Sequence, residues 1–311
     1  MAQWQSFVCF AIVAASVAAS LVAIIRRTTN RRPPPRPPRA AGSAAAAPWA
    51  SCWSRVPPAW LLAFRATAAA ALAAVLAWDL RTYDASIMLY YTEWTLVLEI
   101  GYFAAATAWS ANGCLATHRR SRADDPESTD DGSHGRLLCR SGGADEQDPK
   151  PDGDDDDAWE GPAAGRLLGL LVQIGYQVTA GAVVLTDAVF WALIVPFISS
   201  AHFSLNAVMV CIHSLNLVFL LSETALNNLA FPWFRMAYFV LWTCLYVIVQ
   251  WIAHLCGLTW WPYPFLSPTA SSAPLWYLAM ALLHFPCYLV YWLIVRAKSC
   301  CLVHMQAANR S

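Results

Sequence analysis

The sequence predicts an all-α, polytopic transmembrane helix bundle: one N-terminal anchor helix followed by a six-helix core. Three observations carry this. The 311 residues are 58% hydrophobic and only 13% charged, where a soluble domain is usually about a quarter charged. The charges are segregated into residues 26–39, 118–166 and the C-terminal tail, and the stretches between are nearly free of them. Seven apolar runs are long enough to cross about 30 Å of hydrocarbon as helices. The formal net charge of zero sums basic juxtamembrane segments and one acidic loop, so it says little about partners.

The elements follow in order. Residues 6–25 form an uncharged run closed by Arg26 and Arg27. No basic residue precedes it, which argues against a cleaved signal peptide, and residues 1–25 are expected to be a retained anchor. Residues 26–57 contain "RRPPPRPPRA". Proline lacks the amide hydrogen a helix needs, so this is a basic polyproline linker. A core over 58–299 follows, with spans expected at 60–78, 92–112, 173–198, 206–226, 236–256 and 275–295. It is interrupted by a polar acidic loop at 115–166. The loop's "DDPESTDDG" and "DGDDDD" have too few apolar neighbours to build a core, so it is expected to be disordered. "DGDDDD" lacks the spacing and distal glutamate of a calcium loop. Residues 300–311 form the tail.

Orientation follows from the basic residues. With the N-terminus outside or lumenal, seven crossings leave only Arg81 of the 20 Lys and Arg residues in an outer loop, and only Arg65 inside a span. This obeys the positive-inside rule and places the C-terminus in the cytosol. The tail "QAANRS" shows no retention signal, so endoplasmic reticulum and plasma membrane both stand. Cys300 and Cys301 follow the last span beside Arg296 and Lys298 and are candidates for lipidation. The other cysteines lack metal-type or disulfide-type spacing, and those within the spans read as small hydrophobes.

Polar residues at membrane depth are costly, so each is a functional candidate. In the fifth span His202, Asn206, His213, Asn216, Glu223 and Asn227 recur at steps of three and four once Met209 and Leu220 are included. On one continuous helix these share a face. The expectation is a polar cavity opening outward. Thr92 and Glu99 of the third span, Asp187 of the fourth, His254 of the sixth and His284 of the last supply partners. The bland alternative is interhelical hydrogen bonding. Three chemistries fit: a histidine acting as base on a threonine hydroxyl, histidines with Asp187 or Glu223 holding zinc or iron, or a proton or substrate path. No HExxH, GxSxG or phosphate-binding loop decides among them. No cofactor, resident metal or nucleic-acid partner is expected. Membrane lipid is the expected surrounding partner.

The stretches "YYTEWTLVLEIGYF", "VFW", "HSLNLVFLLSE" and "WPYPFL" resemble the polytopic family of androgen-induced-gene proteins and rolling-stone-like proteins, the plant rolling-stone-like members above all. The resemblance covers residues 60–295. Androgen-induced-gene proteins are membrane threonine hydrolases that cleave fatty-acid esters. Thr92, Trp94 and the pair Tyr102–Phe103 match their threonine segment, and His213 stands ten residues before Glu223, as their histidine does. The resemblance therefore implies Thr92 as nucleophile, His213 as base and a lipid ester as substrate. Asn206 or Asn216 would orient the histidine or stabilise the oxyanion. Here Asn206 stands seven residues before His213, where the hydrolases carry a nearer Asn-His pair. Rolling-stone proteins share the spans without an assigned activity, so a non-catalytic role in adhesion, signalling or scaffolding stands beside the hydrolase, with a transporter or metal-binding membrane protein behind both. The aromatic residues of "WPYPFL" are expected to anchor the last outer loop in the headgroup layer. The alternative is that they line the mouth of a pocket.

Overall fold

The computed structural model describes residues 3–29, 49–53, 55–124, 163–198 and 205–308. They form eight α-helices and, among the described residues, no strand. These are α1 (Gln3–Thr29), α2 (Pro58–Thr82), α3 (Tyr91–Asp124), α4 (Ala163–Val189), α5 (Ala207–Ile212), α6 (Leu215–Leu226), α7 (Met236–Leu255) and α8 (Ala273–Ala308). The end of α4 continues as π-helix over Phe190–Ile198, and short 3-10 turns occupy Ala85–Leu89, Trp233–Arg235 and Pro264–Leu266. Six segments are long and apolar enough to cross a membrane, with α5 and α6 counted together. Large apolar side chains stand exposed along them, such as Phe7, Trp60, Leu255 and Leu275. A soluble helix would bury such a face, whereas hydrocarbon accommodates it.

Helix α3 is the seventh long helix, and it is absent from those six segments. Its enclosed side carries Glu93, Thr95, Glu99 and Ser110. These lower its apolarity while α2 and α4 cover it. The helix also runs on to Asp124 and α4 begins at Ala163, so the loop expected over 115–166 is helical at both margins. The rest of that loop, and residues 30–48 of the polyproline linker, lie outside the described residues.

The N-terminal helix is more than a tether. It packs against α7 and α8, with Cys9 and Val13 buried beside Cys244 and Tyr277 and Phe10 edge-on to Trp251 at 4.5 Å. The end of the linker is docked too. Cys52 N–H donates to Leu226 O at 2.9 Å and the Trp53 indole to Ala225 O at 2.8 Å. These bonds occupy carbonyls at the end of α6 that have no intrahelical partner. Lys298 serves the same end, donating to the carbonyls of Thr224 and Asn227 at 2.8 Å each.

Helix α4 is the most enclosed of the spans. Its Ala180, Gly181 and Ala182 are small, which lets neighbouring helices approach closely. A Cβ on Gly181 would stand 2.5 Å from the Phe239 ring of α7, and Phe239 is fully buried. Gly181→Ala is therefore expected to cost about 1–3 kcal/mol through overpacking. Thermal unfolding in detergent checks this, and an unchanged midpoint would show that the α4–α7 contact can relax.

A second internal centre fixes α2 to α6. Arg65 and Glu223 are both fully buried. The Arg65 Nε–H reaches both Glu223 oxygens at 3.1 Å, and Nη2 reaches Oε1 at 2.6 Å. Nη1 donates to Ser110 Oγ at 2.5 Å, and the Tyr102 hydroxyl donates to Glu223 Oε1 at 3.0 Å. Both carboxylate oxygens thus have partners from α2 or α3, as a buried charge requires.

Candidate functional site

The fifth span is not one helix. It breaks at His213 and Ser214, between α5 and α6. This corrects the stripe expected from His202 to Asn227, because residues on either side of a break do not share a face. His202 itself lies outside the described residues. Non-helical backbone at membrane depth is tolerated where its polar groups find partners or line a cavity. Both conditions hold here. The freed carbonyl of His213 accepts a hydrogen bond from the Trp191 indole at 2.9 Å. Asn216 Oδ1 accepts from Leu217 N–H at 2.7 Å, supplying one partner at the unsatisfied start of α6. The π-helical turns begin at Phe190, whose ring stacks on the His213 imidazole at 3.6 Å and 7°. A widened helix at this contact fits the association of π-turns with functional positions.

The imidazole is 8% exposed, and its Nδ1 lies 3.4 Å from Asp187 Oδ1. That same oxygen accepts from Asn216 Nδ2 at 3.1 Å. Asn216 therefore steadies Asp187, and Asp187 steadies His213. Asp79 and Glu93, both buried, approach each other across α2 and α3 near His213. Neither belongs to the expected polar set: Asp79 sits near the end of α2, and Glu93 reads as the neighbour of Thr92.

Thr92 and His213 line the same cavity, of about 120 Å³. No hydrogen bond joins them among the described residues. The other walls come from α1 (Ile12, Val13, Ser16), from the end of α4, from α7 and α8, and from the loop that joins α7 to α8. The loop residues Tyr263, Phe265 and Leu266 face inward, so this part of "WPYPFL" lines the pocket. Burial, and then the charge on Glu93, push the Tyr263 phenol up, while the Thr92 hydroxyl beside it works in the opposite direction. Most of the lining is aliphatic or aromatic, with hydroxyls and two imidazoles set among it. Such a surface suits a hydrocarbon chain carrying one polar group.

Several expected members stand elsewhere. Glu223 is held by Arg65, as above. Asn206 caps α5, accepting from Met209 N–H at 2.9 Å and bonding the Tyr83 hydroxyl. His254 stacks on Trp261 at 3.5 Å, and its Nδ1 sits 3.1 Å from Gln250 O. Glu99 is fully buried between α3 and α4, and neither carboxyl oxygen has a hydrogen-bond partner among the described residues. Asp187 and Asn216 back His213 without lining the cavity. Cys300 and Cys301 are exposed on α8. Among the described residues no three His, Cys, Asp or Glu side chains are placed to hold a metal.

His284 does line the cavity, and so does Thr243 of α7. Thr243 is the single threonine of α7, and nothing in its spacing marks it. The chain matches no family model, no curated protein and no solved structure.

Proposed function

We propose that this multi-pass membrane protein hydrolyses lipid esters inside the bilayer, with Thr92 as nucleophile and His213 as its base. The observation that carries the reading is the shared cavity: a threonine 121 positions before a histidine in sequence faces the same apolar, partly polar space. In the proposed orientation the N-terminus is outside and the cavity lies in the outer half of the bundle, open to acyl chains from that leaflet.

The chemistry runs as acyl transfer. With Nδ1–H directed at Asp187, Nε2 of His213 is the free base. It takes the Thr92 proton as Oγ1 attacks the ester carbonyl, then returns that proton to the departing alcohol. Water attacks the acyl-threonine, and the same imidazole accepts its proton. The carboxylic acid leaves and Thr92 is restored. The apolar walls hold the chain and exclude bulk water.

Purified protein in vesicles containing a long-chain fatty ester is expected to release free fatty acid. Absence of release by folded protein would remove the reading. A non-catalytic membrane protein is the second reading, favoured by the cross-helix bonds of Asn216, Asp187 and Arg65. It predicts no turnover.

A further inference from the structure

The cavity holds a second imidazole already bonded to a hydroxyl. His284 Nδ1 lies 2.8 Å from Met280 O, one turn earlier on α8. A carbonyl can only accept, so the ring proton sits on Nδ1 and Nε2 carries the lone pair. Nε2 lies 2.9 Å from Thr243 Oγ1, so the threonine hydroxyl donates to it. Thr243 Oγ1 then accepts from the Tyr91 hydroxyl at 2.9 Å. Its distance to its own-helix acceptor, Phe239 O, is 3.5 Å, at the margin of a hydrogen bond. The Phe239 ring, 4.5 Å from the imidazole, holds His284 in place. Tyr91, Thr243 and His284 all face the cavity shared by Thr92 and His213.

We infer that Thr243, with His284 as general base, is a second nucleophile for acyl esters entering this cavity. An interhelical hydrogen bond needs only to hold α7 to α8. This one adds three properties that a nucleophile needs: a base with its lone pair on the hydroxyl proton, a fixed tautomer, and an open apolar space on the reacting side. The step balances. Thr243 Oγ1 bonds to the ester carbonyl carbon as its proton passes to His284 Nε2. The carbonyl electron pair moves to oxygen, where the Tyr91 hydroxyl can turn to donate. Collapse breaks the bond to the alcohol oxygen, which takes the proton from Nε2. Water then cleaves the acyl-threonine with the same imidazole as base, releasing the carboxylic acid. The inference takes its substrate class from the proposed function and is independent of Thr92.

The test is to treat the full chain, purified in detergent, with an alkyl fluorophosphonate and to map the adduct by peptide mass spectrometry. Threonine Oγ1 displaces fluoride from phosphorus, so the modified residue is read directly. The inference expects an adduct on Thr243 in both wild type and Thr92→Ala, absent in Thr243→Ala. In His284→Gln the adduct should form at least 100-fold more slowly, and Thr243→Ser should retain it. An adduct on Thr92 alone would overturn the inference and leave the proposed function standing. An adduct on Thr243 alone would do the reverse for the Thr92 assignment. Equal labelling of Thr243 in His284→Gln would overturn the base assignment and leave the pair a structural contact. If folded wild type takes no label, both fail.

Discussion

His213→Gln lowers the rate at which Thr92 takes up an acyl or phosphonyl group by about 10²–10⁴-fold, the range a positioned general base supplies. The glutamine amide can still reach Asp187, which lies 3.4 Å from the present ring nitrogen, so the break between α5 and α6 should survive. What is lost is the lone pair. The rate is read at the peptide containing Thr92, so any reaction at Thr243 does not enter it. A rate within twofold of wild type would mean that Thr92 reacts without this imidazole. Unfolding of the variant in parallel separates a lost base from a lost fold.

Arg65→Ala has the largest expected effect on stability. Removing the guanidinium strands the fully buried Glu223 carboxylate with, among the described residues, only Tyr102 as a donor. Breaking a buried pair by deleting one partner typically costs about 3–5 kcal/mol. Replacing both members, as in Arg65→Met with Glu223→Leu, should recover most of that loss, because apolar substitutes remove the desolvation cost along with the attraction. Thermal unfolding of the two variants in the same detergent tests both halves. A single variant as stable as wild type would contradict the closed network. A double variant no better than the single would show that the ion pair sets the packing of α2 on α6 and does not merely satisfy its own charges.

The same pair shows what was legible in the sequence. Arg65 is the lone lysine or arginine within the expected spans, and a cation at that depth demands an anion. Glu223 was available, yet the three-four spacing of its helix drew it toward His213. That spacing argument needs an unbroken helix. Nothing in "CIHSLN" signals a break: there is no proline or glycine, and the apolar run continues through it. The break is made by tertiary partners, the Trp191 indole on the His213 carbonyl and the Phe190 ring on the imidazole. The apolar runs themselves were legible because hydrocarbon imposes length and composition on each span. Helix α3 blurs that signal, since its polar side faces protein.

Within the site, His213 and Asp187 stand out by helical spacing, and the short resemblances are what pair Thr92 with His213. The Thr243–His284 pair was out of reach. Its members lie 41 positions apart on different helices, and a single threonine in an apolar span more often bonds its own helix. The inward-facing loop residues Tyr263 and Phe265 were legible only as aromatic, a composition shared by anchors and pocket walls.

The most direct measurement is labelling of the folded wild-type protein by a long-chain fluorophosphonate, with and without an excess of long-chain fatty ester. The account predicts a covalent adduct on a cavity threonine, suppressed by the ester and absent from the Thr92→Ala, Thr243→Ala double variant. Folded wild type that takes no label, or a label unaffected by the double substitution, would contradict it.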